Sequence, residues 1–250
     1  MTMKKVFLFL IVLFSVTSLW SQEKKEDRTF RIPLLGEQVP SFTAESTNGT
    51  INFPGDYSGK WKVLFSHPQD FTPVCSSEIL ELANLQKEFD RLNTQLVVVS
   101  TDKIYTHQEW KKALEDLNFK GRGPEKIKFP LVEDASHSVA ELYGMIHSAT
   151  NTTRDVRGVF VIDPKDVLRA MFFYPMNVGR NTEEIIRTLE AIQTADKNHV
   201  ATPADWTAGS DVFIPYLNEK DEKQLSENKS DDIYKVAWFM TYKKLTDSNK

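Results

Sequence analysis

The chain has 250 residues and a single cysteine, Cys75. One thiol cannot close an internal disulfide, so the core alone must hold the fold, and the thiol is either functional or incidental. The run Cys75-Ser76-Ser77-Glu78 lacks the second sulfur of a Cys-x-x-Cys motif, which argues against a thiol–disulfide oxidoreductase. His107, His137, His147 and His199 show no metal-ligand spacing, so neither a metal nor another cofactor is expected. The formal net charge is −4, with no basic excess to suit nucleic acid or an anionic membrane surface. No internal repeat or low-complexity tract appears. The hydrophobic and charged fractions are those of a globular protein.

A comfortable membrane span is also missing. Val6 to Trp20 is uncharged and follows Lys4 and Lys5, with the length of a signal-peptide core. Residues 1–21 are therefore expected to be a signal peptide cleaved after Ser21. No cysteine lies near that point, which excludes lipoprotein processing. Loss of this segment removes two lysines and no acid, taking the charge from −4 to −6. The expected location is periplasmic or secreted; the alternative is an anchor formed by an uncleaved N-terminal helix. Residues 22–29 are charged and read as a linker. Order is expected from residue 30, with one domain over 30–195 and a C-terminal extension over 196–250.

Periodicity supplies the elements. Thr43 to Phe53 predicts a hairpin with an Asn48-Gly49 turn. Trp61 to Ser66 and Gln95 to Ser100 read as buried strands. Ser76 to Arg91 is a one-sided helix with Ile79, Leu82, Ala83, Leu85 and Phe89 on its stripe. Further helices are predicted over 106–118, 136–143 and 182–194, the last capped by Asn181. Strands are predicted over 129–132, 157–162 and 167–174, the last two as an antiparallel hairpin about Asp163-Pro164-Lys165-Asp166. The charged stretch 219–232 reads as a solvated connector, and 233–242 as strongly β-prone. Strands alternating with helices, then a hairpin and a helix, predict an α/β sandwich with a mixed central sheet.

A lone cysteine is most often a small buried hydrophobe. Cys75 differs because it stands between a strand and a helix, beside Pro68 and Pro73 and three residues after Thr72. The thiolate is the reactive form of cysteine, and the unpaired amides of a first helical turn favour an anion. The prolines restrict the loop and should keep it out of the helix. Thr72 has a hydroxyl hydrogen to give to a thiolate or a bound oxygen. Glu78 suits the positive end of the helix and could equally hold an arginine.

Pro68, Thr72 and Cys75 form a Pro-x-x-x-Thr-x-x-Cys signature that resembles the peroxiredoxins. The longer run from His67 resembles their 1-Cys subgroup, with Gln69 where an arginine is common. Thr202-Pro203-Ala204-Asp205-Trp206 and Val212-Phe213-Ile214-Pro215 are similar to elements of that subgroup's C-terminal extension, which packs on a partner subunit. The element order also resembles the elaborated thioredoxin fold of the family. The resemblance covers about residues 30–215. It implies a peroxidase that forms a sulfenic acid on Cys75 and is recycled by an external thiol, in antioxidant defence. It further implies a homodimer or higher homo-oligomer.

Peroxide cleavage needs donors for the leaving oxygen, and an arginine suits that task. Arg157 opens an apolar strand where the family has its essential arginine, with Arg154 as a competitor in register. Arg180 lies in a Tyr-Pro-x-x-x-Gly-Arg-Asn run, Tyr174 to Asn181, similar to one near the family's pocket. His67 is expected in the pocket as a partner of the sulfur. A lipase-like activity of some relatives is not carried over, because Lys60 stands before Trp61 where the nucleophilic serine would be. A non-catalytic holdase is the remaining rival.

Overall fold

Every residue of β3 (Trp61–Ser66) is buried, because this strand is the middle of a five-stranded sheet. A computed structural model describes residues 31–245 except 216, 218 and 228–231. The signal segment, the linker and Phe30 lie outside the described residues. Of the two units into which the chain divides, Arg31–Lys250 holds all the elements below.

A small hairpin comes first, β1 (Phe42–Ala44) against β2 (Ile51–Phe53). Gly49 takes a φ of 94° at its turn, a conformation that asparagine-glycine turns supply. After β3 come α1 (Pro73–Asn84), α2 (Gln86–Arg91), β4 (Thr94–Ser100), α3 (Ile104–Glu115), β5 (Leu131–Glu133) and α4 (Ser138–Leu142). Strands β6 (Arg157–Ile162) and β7 (Leu168–Tyr174) follow, then α5 (Thr182–Asn198). The sheet order is β5-β4-β3-β6-β7, with β3, β4 and β5 parallel and β6 and β7 antiparallel. The mixed sheet read from the sequence is the one observed.

Side chains alternate across β3. Val63 and Phe65 enter a core with Ile79, Leu82, Trp110 and Leu189, while Leu64 joins Phe53, Val97, Tyr143 and Phe160 on the other face. Both faces are thus covered, which is why the strands read as continuous apolar runs.

The extension holds β8 (Val212–Phe213), α6 (Glu219–Ser226), β9 (Ile233–Ala237) and β10 (Met240–Lys243), with strand order β8-β10-β9. Trp206 and Val212 bury against Ala191 of α5. Part of the expected connector is therefore helical; Glu219, Asp221 and Glu222 in its first turn suit the helix dipole. The β-prone run 233–242 is a hairpin that turns at Trp238-Phe239.

The helix after the cysteine differs from its expected bounds. It starts at Pro73, a favoured first position because proline's missing amide would be unpaired there anyway. It breaks at Leu85, where the Gln86 side-chain Nε2 donates to the Ala83 carbonyl at 2.9 Å and occupies a helix-end acceptor.

Candidate active site

Cys75 has no solvent exposure and sits in the first turn of α1. Thr72 is the N-cap, and the Ser76 amide is the first to find a helical acceptor, the Thr72 carbonyl at 2.9 Å. The Val74 and Cys75 amides thus belong to the turn whose donors lack intrahelical partners. Strand β6 runs antiparallel beside β3, so its first residue, Arg157, lies at the end of β3 where α1 begins. Ser66 fixes this junction: its hydroxyl donates to the Val156 carbonyl at 2.7 Å and accepts from the Gly158 amide at 2.8 Å.

Arg157 reaches the sulfur. Its Nη1 is 3.3 Å from Cys75 Sγ and 2.7 Å from Glu78 Oε2. Its Nε and Nη2 donate to the Met176 carbonyl at 2.9 and 2.6 Å, which fixes the guanidinium plane. Arg154, the competitor in register, donates instead to the Pro68 carbonyl at 3.4 Å.

Glu78 links two arginines. Arg180 donates through Nε and Nη2 to its two oxygens at 2.8 and 2.7 Å. Arg180 Nη1 donates to the Ser66 and Gly158 carbonyls at 2.7 and 2.9 Å, and its guanidinium carbon lies 3.3 Å from the Phe65 ring centre. Arg180 thus positions Glu78 and the ends of β3 and β6, and makes no hydrogen bond to the sulfur. Burial pushes the Glu78 carboxyl up, but the hydrogen bond and charge of Arg180, with the charge of Arg157, outweigh it and hold Glu78 below the usual carboxylate range. Burial pushes Arg180 below its usual value against the pull of Glu78; a guanidinium starts so high that it stays cationic. The two guanidinium groups and one carboxylate leave one positive charge over beside Cys75 Sγ.

Two expected roles change. The Thr72 hydroxyl donates to the Gln69 carbonyl at 2.9 Å, so its hydrogen is not offered to the sulfur and its oxygen is left to accept. His67 is fully buried, neither ring nitrogen makes a hydrogen bond, and its ring lies against Trp110 at 5.1 Å. Burial pushes His67 down to about 4 against the pull of Asp70, so it is neutral near pH 7. Its near neighbours include Asp70 and His107: the three can offer ligand atoms within 4.8 Å of one another. Sequence spacing missed this cluster, because its members come from a loop and from α3, 37 residues apart for Asp70 and His107.

The layout is thioredoxin-like, with one reactive sulfur where the central parallel strand hands over to its helix. The profile of the AhpC/TSA family matches residues 35–171, and that of the C-terminal domain of 1-Cys peroxiredoxin matches residues 191–227. A peroxiredoxin of Methanosarcina mazei is 43% identical over 217 residues, covering 86% of this chain and 99% of the relative. One of Aquifex aeolicus is 48% identical over 175 residues, covering 70% and 77%. The solved yeast mitochondrial 1-Cys peroxiredoxin superposes with a TM-score of 0.74 at 33% identity, over 86% of this chain and all of that one. A cysteine-to-serine mutant of peroxiredoxin 6 from Arenicola marina gives 0.75 at 28% identity, over 86% and 99%. The chain belongs to the peroxiredoxins, in the 1-Cys group, and is a thiol-dependent peroxidase.

Proposed function

We propose that Cys75 is the attacking thiolate and that Arg157, Thr72 and the first-turn amides of α1 hold the peroxide. The observation that carries this reading is the single Nη1 of Arg157 within reach of both Cys75 Sγ and Glu78. The sulfur attacks one peroxide oxygen; the S–O bond forms as the O–O bond breaks. Negative charge grows on the departing oxygen, where Arg157 and the amides donate, and the oxygen leaves as water or alcohol after taking a proton. Thr72 accepts the hydroxyl hydrogen of a hydroperoxide and so orients it. Cys75 becomes a sulfenic acid. Pro68 restrains the loop, and Glu78 and Arg180 hold Arg157.

With no second cysteine in the chain, an outside thiol condenses with the sulfenic acid, releasing water and forming a mixed disulfide. A second thiol then releases Cys75 and departs in a disulfide. The yeast relative's resolving mechanism is described through glutathione and thioredoxin systems, and reductants of those two kinds are the ones proposed here. We place the protein outside the cytoplasm after removal of residues 1–21. We also infer a homodimer or higher homo-oligomer, because Val236, Trp238 and Phe239 of the extension are 64, 89 and 68% exposed.

Purified protein given one equivalent of hydrogen peroxide is expected to carry one added oxygen on Cys75, trapped by a sulfenic-acid reagent and read by mass spectrometry. Excess peroxide without thiol is expected to drive it to sulfinic acid. Absence of both turnover and trapped sulfenic acid would overturn the reading and leave the holdase. Light scattering on the same sample reads the oligomer, and a monomer rejects it. Mature protein beginning at Gln22 outside the cytoplasm supports export, and a full-length membrane-bound chain supports the anchor.

A further inference from the structure

The chemistry above leaves Asp70 and His107 unused and His67 without a hydrogen-bond partner. All three side chains are buried, with 3% exposure at Asp70 and none at the histidines. Neither nitrogen of His67 makes a hydrogen bond, and Oδ1 of Asp70 makes none either. Buried polar atoms normally find a partner, so orphans side by side point to a guest that binds lone pairs. The topology brings them together: His67 follows β3, Asp70 lies in the loop after it, and His107 stands in the first turn of α3 against Val132 of β5.

The atoms are set as metal ligands are set. His107 Nε2 lies 3.0 Å from the Val132 carbonyl, which only accepts, so Nε2 carries a hydrogen and Nδ1 is left to face Asp70. A backbone carbonyl on the far nitrogen is the usual way in which a metal-binding histidine is oriented. His67 Nε2 stands 3.5 Å from Asp70 Oδ1. Two ligands at about 2.0–2.1 Å from one tetrahedral ion stand about 3.4 Å apart, so this pair already has the spacing. The third contact is shorter: His107 Nδ1 lies 2.7 Å from Asp70 Oδ2, the length of a shared proton. That proton accounts for His107 and one carboxylate oxygen, and for nothing at His67 or Oδ1. Among the described residues no other three histidine, cysteine or acidic side chains bring ligand atoms within 4.8 Å of one another.

We propose that His67, Asp70 and His107 form a binding site for a divalent transition-metal ion of the zinc class, held by two imidazoles and one carboxylate. Two nitrogens and an oxygen are a donor set that zinc takes, whereas calcium and magnesium ask for oxygens. The ion takes the place of the proton shared by Asp70 and His107; the proton passes to solvent, and nothing changes oxidation state. Opening that contact to ligand spacing takes a shift of about 0.7 Å. Three protein ligands leave the fourth position to water. Cys75 is not a member of the set: its sulfur faces Arg157 Nη1 at 3.3 Å. The site therefore stands apart from the peroxidase reading and does not depend on it.

The test uses untagged protein stripped with a chelator and dialysed against Zn²⁺. Elemental analysis is expected to find one ion per chain, and X-ray absorption to find two imidazoles and oxygen around it with no sulfur. Co²⁺ in its place is expected to give the visible bands of a tetrahedral site. His67→Asn and His107→Gln are each expected to weaken Zn²⁺ binding at least about 100-fold. Cys75→Ser and His199→Gln, the latter at an exposed histidine, are expected to keep it. Zn²⁺ is expected to raise the Tm of wild type and not that of the two ligand variants. A sulfur ligand, or binding lost in Cys75→Ser, overturns the proposal and makes the thiolate the ligand. So does binding lost in His199→Gln, which marks an adventitious ion only, and so do folded ligand variants that bind as wild type does, or no binding at all. If a ligand variant fails to fold, the X-ray absorption and Co²⁺ spectra of wild type decide alone.

Discussion

Arg157→Ala is expected to lower the second-order rate of peroxide reduction by about 10²- to 10³-fold, the usual cost of losing one preorganised donor to a developing oxyanion. Cys75→Ser is expected to be inactive, since a serine hydroxyl stays protonated at neutral pH and cannot carry the sulfur's redox chemistry. The size of the Arg157 effect follows from how it is held. Glu78 and the Met176 carbonyl fix the guanidinium from two sides, leaving Nη1 a second hydrogen for the sulfur and its substrate. A donor so fixed costs no reorganisation when charge moves to the leaving oxygen. Arg157→Lys keeps the charge but not the fork that spans Met176, Glu78 and Cys75, so it is expected to recover little. Stopped-flow oxidation by hydrogen peroxide, separated from thiol reduction, reads the effect. Activity within a few-fold of wild type in Arg157→Ala would show that the leaving oxygen is stabilised elsewhere.

What could be read from the sequence was local. Pro68, Thr72 and Cys75 lie within eight residues, at the end of a continuous apolar strand and the start of a striped helix, so their setting is set by neighbours in the chain. Arg157 was legible through the resemblance, because it opens an apolar strand at the place of the family's essential arginine. Glu78 was half legible: its place three residues after Cys75 suited either a helix dipole or an arginine, and only the packing of β6 and the 175–181 segment chooses two arginines. Thr72 was misread because its nearest acceptor, the Gln69 carbonyl, depends on how the loop turns. The start of β5 shifted for a similar reason. The Ile127 and Lys128 amides go to Glu115 and Gln86 side chains, so the ladder begins only at Leu131. The break at Leu85 has neither glycine nor proline to announce it.

Glu78→Gln is expected to destabilise the protein by about 3–5 kcal/mol, the usual cost of removing one partner from a buried ion pair. The carboxylate is buried and takes hydrogen bonds from both arginines and from the Arg180 amide at 2.8 Å. Glutamine has the same shape, so the loss reports charge rather than a cavity. It leaves two guanidinium groups facing each other with no anion except whatever charge Cys75 carries. The pH dependence gives the sign. The folded protein holds Glu78 below its ordinary value, so this group adds stability above the unfolded carboxylate range, and that stability is lost as pH falls through the folded value. The gap between wild type and Glu78→Gln is therefore expected to be widest near neutral pH and to close in acid, as urea titrations at several pH values would read. A gap that stays constant with pH would mean that Glu78 acts through its shape. The same variant is expected to lose at least about tenfold in peroxide oxidation, because Arg157 keeps only its Met176 anchor and no longer points one hydrogen at the sulfur.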